Sequence, residues 1–210
     1  MRPIRPREHA AVGELLATTY VGEGWADEDY AQHLRDVDRR TSTATVLVAV
    51  LDGHLVGSVT VATAGGEYAE LAGEGEAVIR MLVTDPAARG AGAGTALVEA
   101  CLAQARAAGC TVVRLSTQEK MAAAGRIYER LGFVRTPERD WRPLPDLLLL
   151  TYALSLEPLP FCGHCGEPGV HHDTPLDPPH YCSHCRRRLV VQVHPSGWTA
   201  RCVEHGLTSS

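Results

Sequence analysis

Lysine is almost missing: Lys120 is the only one in 210 residues, set against 25 acidic residues and a formal net charge of −5. That balance excludes a general binder of phosphate backbones, and the single basic run, Arg186 to Arg188, is too short for a nucleic-acid patch. Long apolar runs are missing too. The longest, Ala44 to Leu51 and Leu147 to Leu154, fall far short of the roughly 20 residues that a bilayer core demands, so no membrane partner is expected. Met1 to Ala11 carries arginines and prolines but no apolar stretch of a secretory signal, and the expected compartment is the cytoplasm.

Cysteine and histidine are scarce up to Leu156, with Cys101 and Cys110 the two cysteines there. Five cysteines and seven of the ten histidines follow. The junction Glu157-Pro158-Leu159-Pro160 ends a strand-like segment and stiffens a short linker. The organisation expected is a domain over 1–156, a proline-containing linker over 157–161, and a Cys/His-rich module over 162–210. A module of that size buries too small a core to stand alone, and in a reducing compartment its staple is a metal rather than a disulfide.

In the larger region the apolar spacing predicts a short extended start at Arg2 to Arg5 and helices over His9 to Tyr20 and Asp27 to Arg39. Strands follow over Thr45 to Leu51 and Leu55 to Ala62, joined by Asp52-Gly53, a strong hairpin signal. Ala77 to Thr84 and Thr111 to Leu115 read as strands, Thr95 to Ala108 and Met121 to Leu131 as helices closed by Gly109 and Gly132, and Leu147 to Leu154 as a last strand. This order describes an α/β fold, a mixed sheet with helices packed on it.

Arg89-Gly90-Ala91-Gly92-Ala93-Gly94 stands between a strand and a helix, where free amides and the positive helix end converge on one point. That geometry suits a phosphate, and glycine lets the backbone approach it. No Gly-Lys-Ser/Thr follows, which excludes a P-loop. Thr95 stands where a dinucleotide fingerprint needs glycine or alanine, and Val112 to Arg114 supply no acidic ribose ligand.

Ile79-Arg80-Met81-Leu82-Val83-Thr84-Asp85-Pro86 followed by Arg89-x-x-Gly92-x-Gly94 resembles the acetyl-CoA-binding motif of the GNAT acetyltransferases. Ala123-Ala124 and Tyr128-Glu129-Arg130-Leu131-Gly132-Phe133 resemble the family's second motif, and the likeness extends over residues 2 to 156. It implies a V-shaped opening between the strands at Ala77 to Thr84 and Thr111 to Leu115, with acetyl-CoA inserted. Backbone groups of Leu82 and Val83 would then pair with the pantetheine arm. Amides from Arg89, Gly90, Ala91, Gly92, Ala93, Gly94 and Thr95 would hold the pyrophosphate, with a side-chain contact from Arg89.

By motif position Tyr128 is the general acid that protonates the departing thiolate, since a phenol stays protonated at neutral pH. Many relatives carry a glutamate where Val78 stands. Glu76, two residues earlier and on the same strand face, is the candidate base through a water; solvent deprotonation is the alternative. The acceptor, a primary amine on a small molecule or peptide, is expected among Tyr20, Trp25, Asp27, Glu28, Asp29, Tyr30 and Trp141, an acidic and aromatic set suited to a cationic amine.

In the tail, Cys162/Cys165 and Cys182/Cys185 are Cys-x-x-Cys pairs and Cys202-x-x-His205 is a third knuckle. Each such turn aims two donors at one ion, and two turns complete a tetrahedral site. Leu189 to His194, a turn, and Trp198 to Arg201 read as a ribbon hairpin, which favours Cys182, Cys185, Cys202 and His205 as the core set. Cys162 and Cys165 either hold a second metal with His171, His172 or His180, or replace His205. The segment from Leu176 to Gly206 resembles the small biotin synthase auxiliary proteins, which implies an iron–sulfur cluster and biotin synthase as a partner. Thiolates serve Zn2+ and iron–sulfur clusters alike, so spacing in sequence leaves both open. The readings are an N-acetyltransferase with a structural zinc ribbon, an auxiliary iron–sulfur module fused to an acetyl-CoA-binding domain, and a protein that senses acetyl-CoA without turnover.

Overall fold

The computed structural model describes residues 1–156, 161–168 and 177–209. Pro158 and Pro160 of the expected linker, and His171 and His172, lie outside the described residues. Contacts divide the chain into two units, Met1–Leu156 and Glu157–Ser210.

The first unit runs β1 (Arg2–Pro3), α1 (His9–Gly22), α2 (Glu28–Arg35), α3 (Val37–Thr43), β2 (Thr45–Leu51), β3 (His54–Thr63), β4 (Glu76–Thr84), α4 (Ala93–Ala107), β5 (Val112–Thr117), α5 (Ala122–Arg130), β6 (Val134–Arg135), β7 (Trp141–Leu144) and β8 (Leu147–Ser155). Its strands form one sheet in the order β1-β2-β3-β4-β5-β8-β6, with β7 also paired to β8. Every pairing is antiparallel except that of β4 with β5.

Local chemistry accounts for the elements. Asp52 and Gly53 both take positive φ, 50° and 82°, which a two-residue hairpin turn with the sheet's twist requires. The helix expected over Asp27 to Arg39 is two helices. Asp36, at φ −79° and ψ 69°, leaves the helical region and its carboxylate accepts from the Arg39 amide at 3.1 Å, so it ends α2 and caps α3. Strands β6 and β7, of two and four residues, were not expected.

The two sheet faces carry separate cores. Leu47, Ala49, Val59 and Ile79 meet Leu97, Val98 and Cys101 of α4, whereas Val48 meets Val12 and Leu16 of α1 and Leu34 of α2. Leu97 is fully buried, and cutting such a leucine back to alanine costs about 2–5 kcal/mol.

Strand β4 departs from simple alternation where it matters. Ala77 and Ile79 face the α4 side, but Met81 and Val83 face the α1 side. The reversal comes from a bulge: the register against β3 slips between Ser58 and Thr60, and Met81 takes φ +53°. A methionine in that region is strained, so the surrounding packing holds it there. The parallel ladder between β4 and β5 covers Glu76 to Ile79 against Val112 to Leu115 and ends there, while β5 stays paired to β8 through Thr117. Beyond Ile79 the two central strands part.

The second unit holds β9 (Val190–His194), β10 (Gly197–Cys202) and β11 (Gly206–Ser209), an antiparallel sheet in the order β11-β10-β9. The ribbon read from the sequence therefore gains a third strand.

Candidate functional site

The opening between β4 and β5 leads into a groove of about 650 Å³ lined by Leu82, Val83 and Thr84 on one side and by Arg89, Gly90 and Gly92 to Thr95 at the start of α4. Gly92 caps that helix at φ +79°, with open space where a Cβ would stand. The Gly92 carbonyl accepts from the Ala96 amide at 3.0 Å, so the amides of Ala93, Gly94 and Thr95 are first-turn donors without a helical acceptor. Ala91 does not line the groove; its amide points back toward the Ala88 carbonyl, 3.5 Å away. Gly94 lets α4 sit against α5, since a Cβ there would come within 3.0 Å of the Ile127 side chain.

Four cationic side chains, Arg89, Lys120, Arg126 and Arg130, stand around this groove. Arg126 and Arg130 were not singled out in the sequence, although their spacing of four on α5 puts both on one helix face. Arg130 donates to Thr95 Oγ1 at 2.7 Å, and Arg89 pairs with Glu23, also in the lining, at 2.7 Å.

A second cavity, of about 580 Å³, meets the first at Trp25, Leu82 and Met121. Tyr20, Trp25, Asp27, Tyr30 and Trp141 line it; Glu28 and Asp29 do not, because α2 turns them outward to solvent. Asp27 serves as the α2 cap, accepting from the Tyr30 amide at 2.8 Å. Ser116 and Thr117 at the end of β5, Gln118 after it, and Pro143, Leu144, Leu147 and Leu149 of β7 and β8 line it too, none of these anticipated from sequence. The loop after α1 is strapped across the opening: Gln118 Nε2 donates to the Trp25 carbonyl at 2.7 Å, and Lys120 Nζ donates to the Gly24 carbonyl. Tyr20 packs edge-on against Trp25 and its hydroxyl donates to the Leu82 carbonyl at 3.3 Å.

Tyr128 lines this second cavity. Its ring packs against Phe133 and Tyr152, with centroids 5.8 and 6.2 Å away, and burial raises the phenol above its ordinary range, so it is protonated at neutral pH. Glu76 is elsewhere. Both its oxygens accept from Arg114 at 2.6 Å and Oε2 also accepts from the Gly73 amide at 2.8 Å. The Arg114 guanidinium holds this carboxyl below the usual carboxylate range, and the residue lines neither cavity. An oxygen pair so engaged is not available to take a proton from an amine beside Tyr128, which corrects the expectation of Glu76 as base.

In the second unit, Cys182, Cys185, Cys202 and His205 place one donor atom each within 4.8 Å of all the others, and among the described residues this is the one group of three or more such side chains. Cys185 Sγ stands 3.7 Å from Cys202 Sγ, and His205 Nδ1 stands 3.6 Å from Cys182 Sγ and 3.7 Å from Cys202 Sγ. Thiolates about 2.3 Å from a central zinc in a tetrahedron lie about 3.8 Å apart, and a sulfur–nitrogen edge is slightly shorter. The donor set fits a single ion. Hydrogen bonding to His205 pulls the Cys202 thiol down to about 6. Cys162 and Cys165 lie outside the foursome, in a turn of their own.

A parallel pair of strands that part, a glycine-capped helix start beside the opening and a buried phenol at its far side are the arrangement of an acyl-CoA-dependent transferase. Comparison with known proteins agrees. Residues 10–133, more than half the chain, match the acetyltransferase (GNAT) family, and the chain belongs to that family. A GNAT-family structure from Desulfovibrio desulfuricans shares the fold at 19% identity, covering 75% of this chain and 98% of that one with a TM-score of 0.62. The yncA protein of Salmonella typhimurium, solved with its cofactor acetyl-CoA, does so at 21% identity over 74% of this chain and 92% of its own, with a TM-score of 0.55. Residues 189–210 match the biotin synthase auxiliary protein family. The biotin synthase auxiliary protein of Mycobacterium tuberculosis is 57% identical over 35 residues, 17% of this chain and 44% of that protein, so the chain spans less than half of the curated relative it matches.

Proposed function

We propose that the first unit transfers the acetyl group of acetyl-CoA to a primary amine. The observation that carries this is the groove where β4 and β5 part, continuous with the amides at the start of α4 on one side and with the Tyr128 cavity on the other. Pantetheine pairs with the β4 backbone at Leu82 and Val83. The pyrophosphate takes the amides of Gly90 and Gly92 to Thr95, where the helix end favours negative charge, with Arg89 added once it leaves Glu23. The acceptor amine enters past Trp25, Tyr30 and Trp141 and arrives neutral, having lost its proton to solvent. Its nitrogen bonds to the thioester carbonyl carbon, the carbon–sulfur bond breaks, Tyr128 gives its proton to the departing thiolate, and the extra proton on the new amide nitrogen leaves to solvent, from which the phenolate is reprotonated. Mass spectrometry of a small-molecule and peptide amine panel incubated with acetyl-CoA tests this: an acetylated product and stoichiometric free CoA are expected, and intact acetyl-CoA across the panel despite tight binding would leave a sensor instead.

For the tail we propose a mononuclear metal site at Cys182, Cys185, Cys202 and His205, with zinc the best match to three thiolates and an imidazole. The supporting observation is the donor spacing. In an iron–sulfur cluster the ligands bind different irons and point outward from a core of several atoms, so donors all within 4.8 Å of each other favour the single ion over the cluster. Metal and acid-labile sulfide assayed on protein purified without oxygen decide it: zinc without sulfide is expected, and iron with sulfide would overturn it. The likeness to biotin synthase auxiliary proteins favours biotin synthase as a partner, in the cytoplasm. Loss of growth without biotin in a Cys182→Ser strain is the expected sign, and unimpaired growth would remove that partner.

A further inference from the structure

The turn at Cys162 repeats the turn at Cys182, bond for bond. In the first, the Cys162 amide donates to the Glu167 carbonyl at 2.8 Å and the Gly166 amide to the Cys162 carbonyl at 2.8 Å; in the second, the Cys182 amide donates to the Arg187 carbonyl at 2.7 Å and the Arg186 amide to the Cys182 carbonyl at 2.8 Å. An isolated bridge closes each turn at the same place, Phe161 with Pro168 and Tyr181 with Arg188. The residue after the second cysteine is left-handed in both, Gly166 at φ +75° and Arg186 at φ +61°. Arginine does not choose that region, so the conformation is imposed by the turn. Burial repeats as well: the leading cysteine is buried and the following one half-buried in each pair. In the second turn this backbone delivers Cys182 and Cys185 to a shared donor cluster.

The first turn is also docked. Phe161 donates its amide to the Ser183 carbonyl at 3.0 Å, and His180 and Tyr181 donate theirs to the Gly163 carbonyl at 2.9 and 2.8 Å. Glu167 pairs with Arg186 at 2.6 Å. A turn fixed in this way carries its two cysteines on one backbone frame; His164 lies within it and His180 is bonded to it, their rings 6.5 Å apart.

We propose that Cys162 and Cys165 hold a second thiophilic metal ion, separate from the ion at Cys182, Cys185, Cys202 and His205, so that the tail is a two-metal module with one ion under each repeated turn. It rests on the reading of the tail as a metal module. The full chain, stripped of metal under reducing conditions, is titrated with Co2+ and then Zn2+. Two equivalents are expected to bind. The variant Cys162→Ser with Cys165→Ser binds one, and its thiolate-to-cobalt charge-transfer band falls by about two fifths, as two of five thiolates are removed. Cys162→His, which keeps a donor, retains the second equivalent. One equivalent in the unaltered chain, unchanged in the double-serine variant, would overturn the second site, as would a Cys162–Cys165 disulfide found by intact mass in protein purified without oxygen. Cys202→Ser is the separate control: if it removes no equivalent, the four-donor site fails and this one does not.

Discussion

Replacing Tyr128 by phenylalanine removes one oxygen from the second cavity and leaves the ring in place. The ring is the packing element, set between Phe133 and Tyr152 with Ile127 and Leu131 nearby, so the variant keeps its fold and its thermal midpoint. The groove for the nucleotide is lined without Tyr128, so affinity for acetyl-CoA is unchanged. What is lost is the proton for the departing thiolate. A positioned general acid contributes about 10²- to 10⁴-fold, so kcat falls by that factor, equivalent to about 2.7–5.4 kcal/mol of barrier. Because burial holds the phenol above its ordinary range, the unaltered enzyme keeps the acid form from pH 6 to 10, so over that range its rate rises with the neutral fraction of the acceptor amine and Tyr128 imposes no alkaline fall. Product formation followed by mass spectrometry from pH 6 to 10, with single-turnover runs to isolate chemistry, checks both statements. A Tyr128→Phe variant within twofold of the parent in single-turnover rate across that range would refute the assignment.

Glu76→Gln leaves the Arg114 guanidinium, with its side chain 14% exposed, facing a neutral partner, and costs about 1–3 kcal/mol of stability with acetyl transfer by the folded fraction intact. Because Arg114 lowers the Glu76 pKa, the pair's stabilisation is complete above the unfolded carboxylate value of about 4.3 and is lost as pH falls through the lower folded value, so variant and parent converge in acid melts; a constant gap would contradict the pairing. Glu23→Gln frees Arg89 from a surface pair worth about 0.2–1 kcal/mol, which raises acetyl-CoA affinity about 1.4- to 5-fold by calorimetry; weaker binding would show that Arg89 does not reach phosphate. Cys202→Ser removes one of the four clustered donors, and the second unit then loses the ion of that site and its protease resistance; retention of both would contradict a structural metal there.

Much of the fold was legible because its signals are local. Asp52-Gly53 marks a hairpin by the φ values it tolerates, Gly92 and Gly94 mark a helix start that something must approach, and the β-branched runs of β2 and β3 alternate between two cores. What was not legible depends on partners far away in sequence. The bulge at Met81 has no composition signal, yet it reverses the facing of β4 and parts the sheet. Glu76 reads as a strand-face carboxylate until Arg114, thirty-eight residues on, takes both its oxygens. Asp36 hides inside a helical rhythm and breaks it with its own side chain. The cavity wall from Ser116 to Gln118 exists because β5 outlasts its ladder with β4, a fact of register. In the tail the two Cys-x-x-Cys turns were visible at once, while their identical closure and left-handed residues were not.

The most direct test of the account is the crystal structure of the full chain with acetyl-CoA. It predicts pantetheine lying between the parted ends of β4 and β5 beside Leu82 and Val83, the pyrophosphate on the amides of Gly90 and Gly92 to Thr95, and the thioester where the two cavities meet at Trp25, Leu82 and Met121. A nucleotide bound elsewhere, with that opening filled by solvent, would contradict it.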